Sequence, residues 1–430
     1  MTRAGLEVGA GRGWSAQDAE RWLLSLELFG MRFGLDRMRR LMTALDAPHE
    51  VFRAIHVVGT NGKSSTVRMI AALLQHHGVH AGAYVSPHLV SFAERIRIDG
   101  ADISPSQFAH AAGRARRATE LVDRTLDADD RVTQFEALTA AAYAQLAAAG
   151  VDVAVVEAGL GGRWDATNVI GAEIAVLTNV GLEHTRWLGP TIRDIAREKL
   201  AVVAPAATLV LGSDLHPEAE AEAQLVAARQ NARIVRAPAE PPAGLELGAR
   251  GAFQRRNFAV ACTAAEAYLG RLERAPLRAA AATVVPGRFE VVGGGAGEPE
   301  IVLDGAHNAG GIEALAESLQ DFLAGRPLVA VLSVLDDKDA AAMLAALLPL
   351  CAGAVFTANA NPRALSPATL ASLAGQVGAP PITRVEADPR RAVALASELA
   401  GPGGVVLATG SIYLVADLVR PDGAGRASTL

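Results

Sequence analysis

The segment Ile55-His56-Val57-Val58 runs directly into Gly59-Thr60-Asn61-Gly62-Lys63-Ser64-Ser65-Thr66, and an apolar, proline-free stretch to His77 follows. This feature constrains the fold most, because strand, glycine turn and helix in that order are the unit of parallel sheets covered by helices. Glycines let backbone N–H groups approach phosphate oxygens, the helix N-terminus adds positive potential, and Lys63 can contact the outer phosphates. Ser64 or Ser65 can reach a phosphate or its Mg²⁺. Gly59 through Thr66 are therefore the candidate nucleotide-binding residues, with an incidental glycine turn as the alternative. A strict G-x-x-x-x-G-K-[ST] would place glycine at position 57, where Val57 stands, so the loop departs from the generic ATPase form while keeping its context.

Further short apolar runs alternate with helix-like segments, the pattern of an α/β protein with parallel sheets. Val151-Val156, Ile174-Leu177, Ile301-Leu303, Leu328-Leu332, Ala354-Thr357 and Val405-Ala408 read as buried strands, and Ser64-His77 and Ala137-Ala149 as crossover helices. The glycine-rich VVGGGAGEPE precedes a new strand and marks a domain edge near Gly293, dividing the chain into 1–293 and 294–430. Residues 201–250, rich in alanine, proline and glutamate, read as helix and loop. The N-terminal GAGRG and the C-terminal PDGAGRAST read as flexible ends.

Composition narrows the partners. With 46 acidic against 40 basic residues, no general polyanion-binding surface is announced, so small molecules rather than nucleic acid are expected. No apolar run has the length of a membrane span or a signal sequence, so no membrane is expected either. The two cysteines, Cys262 and Cys351, are far apart, which fits a reducing, cytoplasmic setting. A monomer is expected, with oligomeric state otherwise open. Of the 40 basic residues only three are lysine: Lys63, Lys199 and Lys338. A coding bias towards arginine accounts for the depletion but not for where the survivors lie. A compact amine can enter a phosphate cradle or, uncharged, react as a nucleophile, which a guanidinium cannot do.

Glu157 follows the strand Val151-Val156 at its C-terminal end, the edge where open parallel sheets bind ligands. A carboxylate there suits Mg²⁺, which prefers oxygen. The next strand leads to Thr178-Asn179-Val180-Gly181-Leu182-Glu183-His184, so His184 can arrive at the same edge; a hydrogen-bonded loop histidine is the plainer reading. Lys199, 15 residues on, is either a site residue or an exposed helix lysine in a weak ion pair. Ser86, in YVSPHL, is a third oxygen donor or simply a turn serine.

Together these segments resemble the folylpolyglutamate synthase and dihydrofolate synthase family of the Mur ligase superfamily. The resemblance rests on GTNGKSST, YVSPHLVSFAERIRIDG, TQFEALTAAAY, VEAGLGGRWDATNV, TNVGLEHTRWLGPTIRDIAREKL, GRFEVV, LDGAHN, LDDKD, NPRALSP and TGSIYLV, in the family's order. It implies a P-loop-type parallel-sheet ATP-binding domain followed by a smaller Rossmann-like α/β domain, with the active site between them. It also implies an ATP-dependent ligase that attaches L-glutamate to dihydropteroate, to a folate, or to both. ATP would phosphorylate a substrate carboxylate, and glutamate's amine would displace the phosphate.

Carried over by motif position, Lys63 and its neighbours hold ATP, Ser86 and Glu157 bind one Mg²⁺, and Glu157 with His184 binds a second. Lys199 matches a lysine that the family carbamylates. Asn257, Arg288 and Asp304 match positions that contact ATP across the domain interface, and His307 and Ser411 are candidates for the incoming glutamate. On the pterin side the matching segments are Gly30-Leu35, Thr133-Phe135 and Arg163-Asp165. There Trp164 would stack on the ring and Arg163 would pair with a carboxylate; a packed tryptophan and a surface arginine are the alternatives. GKSST replaces the glycine of the common GKG[ST] by Ser64, which leaves open which hydroxyl approaches the metal. Lys338, in LDDKD, has no assigned role, an Asp–Lys surface network being the plain reading. A muramyl-peptide ligase, a nucleotide-dependent switch and a plain kinase are the competing functions; the pterin-side motifs argue against the first, a switch has no use for Lys199 or LDGAHN, and a kinase needs only one domain and no amine acceptor.

Overall fold

The structure is a computed structural model that describes residues 14–26, 34–294 and 297–421. Most of the Gly30-Leu35 segment, all of GAGRG, and PDGAGRAST beyond Pro421 lie outside the described residues.

Eight strands form the first sheet: β1 (Arg53–Val58), β2 (Ala81–Tyr84), β3 (Ile96–Ile98), β4 (Ala101–Asp102), β5 (Val153–Glu157), β6 (Ile174–Leu177), β7 (Thr208–Leu211) and β8 (Arg233–Arg236). Their spatial order is β4-β3-β2-β5-β1-β6-β7-β8. The pairings are parallel except those of β3 with β2 and β4. Alternate residues of β1 face opposite sides, as the two-residue strand period requires. Ile55 and Val57 join a core with the helices Lys63–His76 and Ala252–Leu269, while Ala54 joins a second core with Tyr84 and Tyr143. Burying each of Ile55 and Val57 contributes about 1.5–3 kcal/mol. The sheet is thus covered on both faces, as parallel sheets are.

Residues 201–250 are not only helix and loop: they carry β7 and β8 on either side of the helix Pro217–Gln230. β7 is Thr208 followed by the apolar run Leu209-Val210-Leu211, and β8 has arginines at both ends because it is a sheet edge that meets water.

The second sheet contains β9 (Glu290–Val292), β10 (Glu300–Leu303), β11 (Leu328–Leu332), β12 (Gly353–Phe356), β13 (Ile382–Val385) and β14 (Val405–Thr409), in the order β13-β12-β11-β14-β10-β9. All pairs are parallel except β9 with β10. β9 precedes Gly293 yet belongs to this sheet, with Val292 opposite Ile301, so the second sheet begins ahead of the glycine run. The run lies in sequence between two antiparallel strands of the same sheet, not between the two sheets. Among the described residues no helix is long and apolar enough to cross a membrane.

Candidate active site

β2, β5, β1 and β6 are consecutive in the first sheet and point the same way. Their carboxyl ends therefore deliver Ser86, Glu157, the 59–62 loop and the 178–184 segment to one edge, where parallel sheets place their ligand sites.

The loop is shaped by close approach. Gly59 and Gly62 have positive φ, and a Cβ on Gly59 would overlap the Thr178 hydroxyl, while one on Gly62 would overlap the Asn257 amide. Thr178 Oγ1 donates to the Asn61 carbonyl at 2.6 Å, Asn61 N donates to Asn179 Oδ1 at 2.8 Å, and Thr60 N to the Asn179 carbonyl at 3.0 Å. The segment after β6 thus holds the phosphate loop in shape. Lys63 opens the helix Lys63–His76 and donates to the carbonyls of Gly59 (3.1 Å) and Thr60 (3.2 Å).

Ser65 and Thr66 are buried in that helix, and the hydroxyl that reaches the carboxylate edge is that of Ser64. Ser64 Oγ lies 2.9 Å from Glu157 Oε1 and 3.2 Å from the Ser86 carbonyl, and Ser86 N donates to Glu157 Oε2 at 2.9 Å. Burial pushes the Glu157 carboxyl up; Lys63, the two hydrogen bonds and Arg288 oppose it. Glu157 with the oxygens of Ser64 and Ser86 is an all-oxygen set suited to Mg²⁺, which is usually held by one or two carboxylates with phosphate and water completing its shell. Among the described residues no three His, Cys, Asp or Glu side chains are grouped as a metal cage.

His184 has a left-handed backbone (φ 52°) ahead of the short helix Thr185–Leu188. Its Nε2 is 3.7 Å from Glu183 Oε1, and the charges acting on it are those of Glu183, Lys338, His307 and Lys63. Burial lowers its pKa to about 4, so the imidazole is neutral at pH 7. Lys199, far from being exposed, is 5% accessible and donates to the Gly59 carbonyl at 2.8 Å. Burial, reinforced by the neighbouring charge of Lys63, lowers its pKa to about 7.

The second domain closes over this edge. Lys338 Nζ meets Glu183 Oε1 at 3.1 Å, with 10% and 9% of the two side chains accessible, so it forms a buried interdomain pair; it also approaches Asp337 at 3.6 Å, so the expected Asp–Lys contact is present beside that pair. His307 Nε2 is 3.6 Å from the same oxygen. Burial would raise the Glu183 carboxyl, but His307, Lys338, His184 and Lys63 outweigh it and hold the group well below the usual carboxylate range, the two histidines contributing only at the low pH where they are protonated. Asn308 caps the helix Ala309–Leu323 and exchanges two hydrogen bonds with Asn61 of the phosphate loop, at 3.0 and 3.2 Å. Arg288 acts electrostatically on both Asp304 and Glu157, linking the domains again. Asp304 is buried and accepts from the backbone N–H groups of Phe289 and Ala306. Asn257 abuts Gly62 and donates to Gln254 at 3.0 Å.

Other expected contacts have structural duties. Thr133 caps the helix Gln134–Ala149 through a capping box with Glu136, Ser411 caps Ile412–Val419, and buried Asp165 caps the turn Ala166–Val169. Arg163 pairs with Glu198 at 2.8 Å. Phe135 lies over Gly159, where a Cβ would overlap its ring, and Trp164 is 47% exposed. Sequence reasoning misses Glu183 and Asn308 as site residues. Each adjoins a singled-out histidine in the same motif, His184 and His307 respectively, and that adjacency is the available signal.

A phosphate loop, a buried carboxylate and a second domain reaching both define an ATP-dependent ligase of the Mur type. The Mur ligase middle domain matches residues 57–250, and the Mur ligase glutamate ligase domain matches residues 287–412. The dihydrofolate synthase/folylpolyglutamate synthase of Mycobacterium tuberculosis is 36% identical over 85% of this chain and 82% of its own length. The Bacillus subtilis protein of the same name is 32% identical over 94% and 98%. The crystallised M. tuberculosis folylpolyglutamate synthase complexed with ADP superimposes with a TM-score of 0.86 at 34% identity, covering 94% of this chain and 97% of that one. The chain belongs to the folylpolyglutamate synthase and dihydrofolate synthase family.

Proposed function

We propose that the chain joins L-glutamate to dihydropteroate, to a reduced folate, or to both, through an acyl phosphate. The observation that carries this reading is the meeting of Lys63, Glu157 and Ser64 from one domain with Lys338, His307 and Arg288 from the other in one cleft.

A carboxylate oxygen of the acceptor attacks the terminal phosphorus of ATP, the bond to the bridging oxygen breaks, and ADP leaves. The amine of glutamate then attacks the acyl carbon, and phosphate departs as the amide forms. The transferred phosphoryl group demands positioning and neutralisation of spreading negative charge. Lys63 in the loop supplies a positive charge there, and Arg288 supplies another from across the cleft. Mg²⁺, held by Glu157 with Ser86 and Ser64, would neutralise phosphate charge when bound.

The attacking amine must first lose a proton. His307 Nδ1 lies 2.8 Å from the Gly305 carbonyl, and a carbonyl only accepts, so Nδ1 carries the hydrogen and Nε2 is left basic. Burial lowers the pKa of His307, which keeps it neutral and able to accept that proton at Nε2. Lys199, with its amine largely uncharged above about pH 7, suits carbamylation, which would place an anion beside the loop. His184 is proposed to join Glu157 at a second metal position, and Trp164 with Phe135 to face the pterin.

The test is incorporation of labelled glutamate with ATP and Mg²⁺, supplying dihydropteroate and monoglutamyl folate separately. Incorporation into either supports the reading and says which activity the chain has. Folded protein that binds ADP but incorporates glutamate into neither would overturn it.

A further inference from the structure

A cavity of about 270 Å³ opens on the helix Lys63–His76 away from the cleft, between that helix, β2 and the loop at residues 283–284; none of the site residues described above lines it. Its floor is methyl-bearing, from Ala71, Ala81, Ala83 and Val284. Besides the exposed His76, four polar side chains line it: Arg68 and Gln75 from the helix, Arg97 from β3, and Thr283.

Arg97 is committed, donating to the Asp102 carboxylate and the Gly100 carbonyl. The other three are not. Among the described residues the side chains of Arg68, Gln75 and Thr283 have no hydrogen-bond or ion-pair partner. One unpartnered polar side chain at a surface is ordinary, because water satisfies it. Three lining one cavity, one of them a guanidinium with no carboxylate at ion-pair distance among the described residues, leave donors that a bound anion can satisfy in place of water. Burial, with Arg97 adding in the same direction, lowers Arg68 to about 10, against the opposing pull of Asp102, Glu94 and Glu157, none of which makes an ion pair with it among the described residues.

We propose that this cavity is a binding site for a small oxyanion of the size of inorganic phosphate. The Arg68 fork takes two oxygens, the geometry in which guanidinium pairs with phosphate or carboxylate. The Gln75 amide and the Thr283 hydroxyl donate to the remaining oxygens. Arg97, already neutralised by Asp102, adds positive field without having to rearrange. Asp102 and Glu94 lie within electrostatic reach of Arg68, which favours a compact anion held at the fork over a bulky one of high charge. The site rests on these residues alone and not on the folate reading.

The experiment is calorimetric titration of the full chain with inorganic phosphate in the Lys63→Ala variant, whose phosphate loop no longer competes. Saturable binding is expected, weakened about tenfold or more when Arg68→Met is added, since a charge-assisted bidentate contact is lost. Thr283→Val should weaken it by a smaller factor, and Arg68→Lys should give an intermediate loss. Arg68→Met alone should still bind ADP like the unaltered chain, which separates loss of the site from loss of the fold. Phosphate binding unchanged by Arg68→Met, or no saturable binding in Lys63→Ala protein, overturns the proposal. Succinate in place of phosphate distinguishes the source: equal dependence on Arg68 with tighter binding would identify a carboxylate ligand of the same site.

Discussion

Lys338 Nζ sits 3.1 Å from Glu183 Oε1, and this nearly buried ion pair joins the two domains at the point where His184 and His307 also meet. Removing one partner of such a pair leaves the other charge buried, which costs more than the pair itself is worth. Lys338→Ala should therefore lower glutamate-dependent ADP release by about tenfold to a hundredfold. ADP affinity, for which no contact from Lys338 is proposed, should stay within about twofold. Unchanged turnover would show that the pair does not hold the closed arrangement.

Lys199 makes stability depend on pH. Its folded pKa, about 7, lies below its ordinary value of 10.5, so between those limits the unfolded chain binds more protons. Stability from this group is then lowest below pH 7 and rises as pH climbs from 7 towards 10.5. In CO₂-free buffer Lys199→Met should be more stable than the unaltered chain at pH 6–7, by on the order of a few kcal/mol, and the gap should close by pH 10. Chemical denaturation at four pH values reads this directly. Activity should fall as pH drops through 7 and should rise on adding bicarbonate in the unaltered chain only; bicarbonate-independent activity would remove the carbamate from the mechanism.

Ser64 ties the phosphate loop to the carboxylate proposed to hold Mg²⁺, with Oγ 2.9 Å from Glu157 Oε1. Ser64→Ala deletes one of the two hydrogen bonds to Glu157 and should raise the Mg²⁺ concentration needed for half-maximal turnover by about three- to tenfold, the net worth of one ordinary hydrogen bond. A Mg²⁺ titration at saturating ATP measures it. An unchanged midpoint would mean that the hydroxyl positions nothing.

Gly59 has no room for a side chain, because a Cβ would overlap the Thr178 hydroxyl. Gly59→Ala should abolish measurable ADP binding while leaving the melting transition within a few degrees, since the strain falls on the loop and not on either core. Thr178→Ser, which keeps the hydroxyl, should not restore binding; Thr178→Gly, which removes it, should restore part. Full ADP affinity in Gly59→Ala would show that the loop tolerates the shift.

The strands with continuous β-branched or leucine runs, β1, β5, β6, β11 and β14, are legible because burial on both faces leaves no polar alternation to confuse them. β2 is Ala-Gly-Ala-Tyr and β8 has only Ile234-Val235 between two arginines, so neither shows an apolar run of strand length; each is a strand because a neighbour supplies its hydrogen bonds. The capping serine, threonine and aspartate, Ser411, Thr133 and Asp165, look alike in sequence whether they bind substrate or close a helix end. Only the positions of the backbone N–H groups around them separate the two duties.

What the sequence determined by itself was the local chemistry: a glycine turn between strand and helix, a carboxylate after a buried strand, and three lysines kept in an arginine-rich chain. Each is a short-range pattern whose physical meaning survives without knowing the fold. The tertiary structure decided which of them meet. Lys63, Lys199 and Lys338 are spread over 276 positions, from 63 to 338 counted inclusively, yet Lys63 and Lys199 share the Gly59 carbonyl and Lys338 reaches Glu183 beside them. Strand order brings the first two together, and the docking of two separate sheets supplies the third. Neither is encoded in any window of residues, because both depend on long-range pairing and packing, whose energy is shared across the whole core.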